Sequence, residues 1–178
     1  LPWVFPSPNM PAFATALVYL GQVLWEGTNI SEGRGTTLPF ELFGAPFVDP
    51  REVQGVLRPA DLAGCCLRPL WFEPTSGKWG GRTCGGFQIH VIDTDLFRPY
   101  RTSLALLQAL RILYPEGFAY KAPPYEYEFE RLPMDLLIGD RKVREGLESG
   151  LPVADLEAAW QDELADYRQR CSPLFLYD

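Results

Sequence analysis

The pattern of apolar and polar residues divides this chain into short strands and helices. The clearest strand is predicted over residues 87–92, where apolar and polar residues alternate: Phe87, Gln88, Ile89, His90 and Val91. A period of two sends Phe87, Ile89 and Val91 to one face and Gln88 and His90 to the other. Two polar side chains on one face of a strand are a candidate binding surface.

Helical spacing of apolar residues predicts four helices. Each has ordinary start or stop signals, such as a proline in the first turn, an aspartate cap or a following glycine. The predicted helices span residues 12–20, 99–114, 141–148 and 153–170. We expect the last and longest of them to pack five side chains inward: Val153, Leu156, Trp160, Leu164 and Tyr167.

The remaining segments connect these elements. Residues 1–11 are rich in proline and predict an extended lead-in. We predict a short strand at residues 22–26 that leads into a polar loop, and a buried strand at 67–73. The segment 122–130, rich in proline, tyrosine and glutamate, is a candidate edge strand. We expect an irregular connection at 40–57 and a mobile loop that carries Trp79 at 74–81. Helices mixed with strands that do not alternate with them predict an α+β fold, a single mixed domain over residues 1–178.

The loop at residues 25–41 holds most of the candidate chemistry. It contains three carboxylates, one guanidinium, one amide and several hydroxyls, with three glycines that allow sharp turns. Loops that bind or catalyse hold polar groups in this way on a rigid scaffold. The alternative is a solvated loop held by Asx and Ser/Thr turns.

Glycoside hydrolysis needs two carboxyl groups across the scissile bond, and Glu26, Glu32 and Glu41 are candidates for one or both. We favour a structural anchor for Glu41, which directly follows Pro39 and Phe40. His90 is the sole histidine. Its imidazole could orient an acid or bind sugar hydroxyls, and the alternative is a structural strand residue.

Charge and composition exclude several classes of protein. The net charge is −7 and the chain has no basic stripe, which argues against a nucleic-acid partner. No apolar run reaches the length of a membrane span. The chain opens at Leu1 rather than at methionine, and we interpret it as a processed chain or a part of a longer protein.

The cysteines and the lone histidine do not predict a metal site. Cys65 and Cys66 are adjacent and lack the spacer of a zinc ligand pair, so we expect no metal and no cofactor. Buried free thiols are the favoured state of the four cysteines. A Cys65–Cys66 vicinal disulfide and a Cys84–Cys171 bridge remain open.

Several motifs in this order resemble the exo-β-N-acetylmuramidase family of NamZ-type glycoside hydrolases, formerly a domain of unknown function. The motifs cover nearly the whole chain: PSPNMP at 6–11, EGTN and SEGRGT at 26–36, PFE and GAP at 39–46, CGGFQIHV at 84–91 and LFLY at 174–177. One departure is Leu20-Gly21, where the family commonly has Pro-Gly. It affects a turn and leaves the polar loop untouched.

The resemblance implies a two-part bacterial protein of peptidoglycan recycling. A Rossmann-like N-terminal half, absent here, carries the catalytic glutamate, and this chain matches the C-terminal half. We expect the chain to form one side of the active-site cleft, to be inactive alone, and to work in the periplasm or outside the cell. The expected partners are peptidoglycan-derived amino sugars and the missing half. The alternative function is a non-catalytic cell-wall carbohydrate-binding or interaction domain.

Eight residues are candidates for the site. The catalytic candidates are Glu26, Glu32 and His90, and the substrate-binding candidates are Asn29, Ser31, Arg34, Thr36 and Gln88. The guanidinium of Arg34 is suited to pair with the lactyl carboxylate that distinguishes N-acetylmuramic acid from N-acetylglucosamine. An internal salt bridge to Glu32 or Glu26 is the alternative for Arg34, and holding the turn is the alternative for Asn29.

Overall fold

In the computed structural model of the chain, which describes residues 2–176, one small sheet packs against a layer of helices. The sheet is antiparallel, with strand order β1-β3-β2. Its strands are β1 (Leu42–Ala45), β2 (Cys65–Phe72) and β3 (Cys84–Val91). The fold is therefore α+β, as the sequence predicts.

The helices within residues 2–176 are mostly short. They are α1 (Phe13–Gln22), α2 (Pro50–Val56), α3 (Pro99–Leu113), α4 (Pro133–Ile138), α5 (Arg141–Glu148), α6 (Val153–Ala159) and α7 (Gln161–Cys171). Short 3₁₀ helices occur at Val23–Gly27, Pro59–Leu62 and Ser172–Leu174. The Pro-rich lead-in has no regular structure over the described residues 2–11, as predicted. Leu1, Tyr177 and Asp178, which belong to the predicted lead-in, closing motif and domain, lie outside the described residues.

The core forms where β3 and α3 meet. The central strand β3 buries Phe87 and Ile89, while His90 is exposed on the opposite face. Helix α3 buries Leu104, Leu106, Leu107 and Leu110, and it ends before Pro115 as predicted. Trp25, Phe43 and Phe87 stack in a row between the sheet and the polar loop.

Strand β1 was not predicted, because it depends on close backbone pairing with β3. In the segment 40–57, expected to be irregular, β1 pairs with β3 so that Gly44 lies opposite Gly86. A Cβ atom on Gly44 would meet the backbone of Gly85 and Gly86. Glycine is a weak strand former in isolation, so only the tertiary pairing reveals this strand. The same segment also forms α2, which Asp49 caps by accepting a hydrogen bond from the Arg51 amide.

Two other strand predictions were wrong. Residues 22–26 continue α1 as a 3₁₀ helix, in which the Trp25 indole donates to the Gln22 side chain at 2.7 Å. Residues 122–130 do not form a strand. Their backbone pairs at a single antiparallel β-bridge, between Tyr125 and Glu128. Positive φ angles at Glu126 and Tyr127 turn the chain back on itself there. Strand β2 is present over the segment 67–73 as predicted, but its predicted burial was wrong: of these residues Leu67 alone is buried, and Arg68, Pro69 and Trp71 are exposed.

The predicted helix 153–170 breaks into α6 and α7 at Trp160. The indole of Trp160 packs edge-on against Tyr100, with ring centroids 5.7 Å apart, and its backbone leaves helical geometry at ψ 2°. Val153 and Leu156 are buried as predicted. Tyr167 instead is exposed, because α7 turns away from the core after the break.

Candidate functional site

A chain of ion pairs links the polar loop to a second loop. Arg34 Nη2 lies 2.5 Å from Glu26 Oε1, and Arg34 Nε lies 3.3 Å from Glu32 Oε1. Lys78 Nζ lies 2.8 Å from the other oxygen of Glu32. The glutamate side chains are more buried than that of Arg34, so the cluster presents the guanidinium to solvent. We call Glu26, Glu32, Arg34 and Lys78 the charge cluster.

Glycines and hydroxyls shape the backbone that carries this cluster. Gly33 and Gly35 both adopt positive φ angles, which place Arg34 at the tip of a sharp turn. The Ser31 hydroxyl accepts a hydrogen bond from the Gly33 amide, and the Thr36 hydroxyl donates to the Gly33 carbonyl at 2.6 Å. These internal hydrogen bonds fix the shape of the loop.

The second loop, residues 74–82, donates hydrogen bonds to the polar loop. Lys78 donates to the backbone carbonyls of Trp25 and Ile30 as well as to Glu32. The Trp79 indole donates to the Asn29 carbonyl at 2.6 Å. Lys78 is not among the site residues predicted from the sequence. The available signal was a lysine and a tryptophan set among glycines in Ser76-Gly77-Lys78-Trp79-Gly80-Gly81.

Tyr125 completes the cluster from a third segment. Its hydroxyl donates to Glu26 Oε2 at 2.9 Å, so the two oxygens of Glu26 are held by Tyr125 and Arg34. The tyrosine was also missed, because a contact across 99 residues leaves no local pattern in the sequence. Burial, together with the hydrogen bond to Glu26, raises the pKa of Tyr125, which therefore stays a hydrogen-bond donor.

The two cations of the cluster respond differently to their surroundings. Burial lowers the pKa of Lys78 and outweighs the attraction of Glu32. Burial also opposes the charge of Arg34, but its hydrogen bond and charge interaction with Glu26 raise the net pKa. Arg34 is therefore a permanent cation at the surface of the cluster, and the half-buried Lys78 holds Glu32 from the other side.

The fork of Arg34 is only partly occupied. A guanidinium has five N–H donors. One Nη2 hydrogen is donated to Glu26, and Nε lies 3.3 Å from Glu32 Oε1 as an ion pair. Its plane lies over the Phe40 ring, 5.1 Å from the centroid. The internal salt bridge weighed as the alternative is thus present with both glutamates. Within residues 2–176 the Nη1 atom has no protein partner, so one edge of the fork can still receive a carboxylate.

The other predicted loop residues are used within the protein. Asn29 donates to the Gly117 carbonyl at 2.7 Å and accepts from the Ala119 amide at 3.0 Å, which ties the loop to residues 117–119. Ser31 is buried, and Thr36 hydrogen-bonds along the loop. Glu41 is buried and accepts from the Thr15 hydroxyl at 2.6 Å, in agreement with its interpretation as an anchor.

Gln88 and His90 lie on the outer face of the sheet rather than in the charge cluster. Gln88 accepts a hydrogen bond from Arg68, and His90 is exposed opposite Cys66 on β2. Among the described contacts, no hydrogen bond or ion pair joins either residue to the cluster. The structure therefore separates the eight candidates into a loop group and a sheet group.

The four cysteines are free thiols in the structure, with Cys65 and Cys84 buried. The described residues contain no group of three or more metal-ligating side chains. Over the same residues, no helix combines the length and the apolar character that crossing a membrane requires.

Comparison with known proteins assigns this chain to a family. The profile described as "Exo-beta-N-acetylmuramidase NamZ, C-terminal" matches residues 17–177. The "Peptidoglycan beta-N-acetylmuramidase NamZ" of Bacillus subtilis (strain 168) is 37% identical over 177 residues, which cover 99% of this chain and 41% of that protein. The chain thus spans about two-fifths of this relative's length.

Two crystal structures of DUF1343 family proteins from Bacteroides fragilis have a similar fold. One superposes with a TM-score of 0.84 at 23% identity and covers 100% of this chain and 46% of that one. The other has a TM-score of 0.61 at 24% identity and covers 97% of this chain and 43% of that one.

Proposed function

This chain belongs to the exo-β-N-acetylmuramidase NamZ family, as a match to its C-terminal domain, and we propose that it forms one side of the active-site cleft of such a glycoside hydrolase. The substrate would be a peptidoglycan fragment with a terminal N-acetylmuramic acid. The observation that carries the proposal is the partly occupied, outward-facing guanidinium of Arg34 above two ordered carboxylates.

Arg34 is proposed to recognise the lactyl carboxylate of the sugar. Its remaining N–H donors can form charge-assisted hydrogen bonds to a planar anion, while Glu26 and Glu32 hold the guanidinium in one orientation. A fixed fork loses less rotational freedom on binding than a free side chain. N-acetylglucosamine lacks this carboxylate and would leave the fork unfilled.

The charge cluster suits binding and positioning better than acid catalysis. Glu26 and Glu32 serve as the carboxylate partners of two cations and a phenol, so neither is arranged to protonate a leaving oxygen. Glycoside hydrolysis requires such an acid. We therefore infer that the acid belongs to the part of the longer protein that this chain does not cover. Glu26, Glu32 and His90 remain candidates for contact with the sugar.

Turnover of a chromogenic β-N-acetylmuramide tests whether this chain binds the sugar while another part of the longer protein supplies the acid. The assay compares this chain with the longest protein that its gene encodes, both at concentrations where circular dichroism shows a folded protein. Turnover by the longer protein only is the expected result. Turnover by this chain alone would contradict the split site. Turnover by neither, with saturable binding of the amino sugar, would favour the carbohydrate-binding module.

A further inference from the structure

Helix α1 buries two polar side chains and leaves large apolar side chains on its outward side. Thr15, Val18 and Gln22 are buried, whereas Phe13 is 60% and Leu20 67% exposed. At helical spacing, positions 15, 18 and 22 share one face, and the opposite face carries only apolar residues: Phe13, Ala16, Leu17 and Leu20. We call these four residues the α1 outer face. A helix that is apolar on its solvent side ordinarily packs against another element there.

The inward polar residues are fixed by hydrogen bonds, so the helix cannot rotate to bury its outer face. Thr15 donates to Glu41 at 2.6 Å, and Gln22 donates to Ser103 on α3 at 2.8 Å. Gln22 also accepts from the Trp25 indole. Rotation would leave these buried groups without hydrogen-bond partners, which is unfavourable for a polar group away from water. The outward apolar face is therefore a stable feature of the fold.

The α1 outer face continues into a cavity between α1, α3 and the last two helices. The cavity has a volume of about 640 Å³, and Leu20 forms one of its walls. Its lining mixes apolar residues, among them Tyr100, Trp160 and Leu164, with charged residues such as Arg98, Glu157 and Arg168. Through Leu20 the face and the cavity adjoin, so the surface is apolar on α1 and carries charged groups in the cavity.

We propose that this surface is the docking site for the N-terminal part of the longer family protein. The relatives are more than twice the length of the matched region, which covers 41% and 46% of two of them. The match is to the C-terminal domain, so the remainder precedes it. The lead-in folds back onto α1, with the Trp3 ring 5.9 Å from Phe13. A preceding part tethered there would be at high effective concentration beside the α1 outer face.

The same helix contacts the loop that carries the charge cluster. Tyr19 packs edge-on against Phe40 with ring centroids 4.8 Å apart, and the guanidinium of Arg34 lies over that Phe40 ring. A partner docked on α1 would therefore lie beside Arg34 and could close a cleft above it. The inference rests on the proposed function only in requiring that the chain works within a longer protein.

Cysteine labelling measures this contact without reference to activity. Leu20→Cys and Ile112→Cys are introduced separately into this chain and into the longest protein that its gene encodes. Ile112 on α3 is 61% exposed and serves as the matched control. Reaction with a polar maleimide is followed by mass spectrometry of the labelled peptides. The exposed native Cys66 in the same samples provides an internal reference.

We expect Leu20→Cys to react at least about ten-fold more slowly in the longer protein than in this chain, because a docked face is open only a small fraction of the time. Ile112→Cys should react within about two-fold of the same rate in both. Equal labelling of Leu20→Cys in both proteins would overturn the proposal. Protection that appears in this chain alone, and grows with its concentration, would instead assign the face to a second copy.

The two proposals fail separately. A longer protein that protects Leu20→Cys but does not hydrolyse the muramide would overturn the proposed function and support the docking. A longer protein that hydrolyses the muramide while Leu20→Cys labels freely would do the reverse.

Discussion

Lys78 is the residue on which the candidate site depends most. Its ammonium has three donors, and the structure uses all of them on two backbone carbonyls and Glu32. These bonds connect two loops that are separated by more than 40 residues of sequence. No local pattern distinguishes such a lysine from a solvated one, which is why sequence analysis recognised Arg34 and missed Lys78.

Substitution Lys78→Met should destabilise the protein by about 2–3 kcal/mol, because two carbonyls lose their donor and the buried Glu32 keeps Arg34 as its one ion-pair partner. Urea unfolding measures the loss. Lys142→Met is the control, since the Lys142 side chain is exposed on α5 and should change stability by less than about 0.5 kcal/mol. A loss below about 1 kcal/mol for Lys78→Met would show that these contacts contribute little.

At the scale of elements, helices with local signals were predicted and strands formed by long-range pairing were not. Helices α3 and α5 carry a proline or aspartate at the start and a stop at the end, and the sequence places both. Strand β1 depends on glycines that permit close pairing with β3, and its segment was expected to be irregular. The break at Trp160 depends on the distant Tyr100 ring, so residues 153–170 still predict one helix.

At Gly21, alanine should destabilise the protein even though alanine has the higher helix propensity. It lies within α1, and a Cβ atom there would collide with the Pro99 carbonyl and the Ser103 side chain of α3. Gly21→Ala should therefore destabilise the protein by about 1–3 kcal/mol, although alanine favours helices. In α2, a Cβ atom on Gly55 would meet nothing within 4 Å. Gly55→Ala should stabilise by about 0.4–1 kcal/mol. The thermal unfolding temperatures of both variants measure these changes. A Gly21→Ala protein more stable than wild type would contradict the close contact between α1 and α3.

At the scale of the whole molecule, buried ionisable groups should make the protein sensitive to alkaline pH. Burial raises the pKa of Cys65 and Cys84 to about 11. Burial also raises the pKa of Tyr100, Tyr114 and Tyr120 to about 12. Each group keeps its proton to higher pH in the folded state than in the unfolded state. Stability is then fully present below the unfolded pKa values and is lost as pH rises through the folded ones.

Lys78 acts in the opposite direction, because a lowered pKa in the folded state makes stability rise with pH up to its unfolded value. Below about pH 10 the two buried thiols outweigh this one lysine, and the buried tyrosines add to the loss above that pH. The urea midpoint should therefore fall between about pH 8 and about pH 10.5 under reducing conditions. Cys84→Ala removes one contribution and should flatten this fall, whereas removal of the exposed thiol in Cys66→Ala should not. A midpoint that stays constant or rises over this range would contradict the assignment.

At the scale of the whole protein, we propose that the charge cluster forms the muramic-acid side of a cleft that another part of the longer protein completes. The most direct test is kcat/KM of the longest gene product for a chromogenic β-N-acetylmuramide and the matching β-N-acetylglucosaminide. Arg34→Met is compared with wild type and with Arg51→Met, a control at an exposed arginine on α2. Arg34→Lys, which keeps the charge but loses the fork, accompanies it as a second variant.

Loss of charge-assisted hydrogen bonds should lower kcat/KM for the muramide about 100-fold in Arg34→Met, with any glucosaminide rate changed less than about two-fold. Arg34→Lys should show an intermediate loss, and Arg51→Met should match wild type. Equal loss on both sugars in a folded Arg34→Met protein, or no loss on either, would contradict the role of Arg34 in recognising the carboxylate.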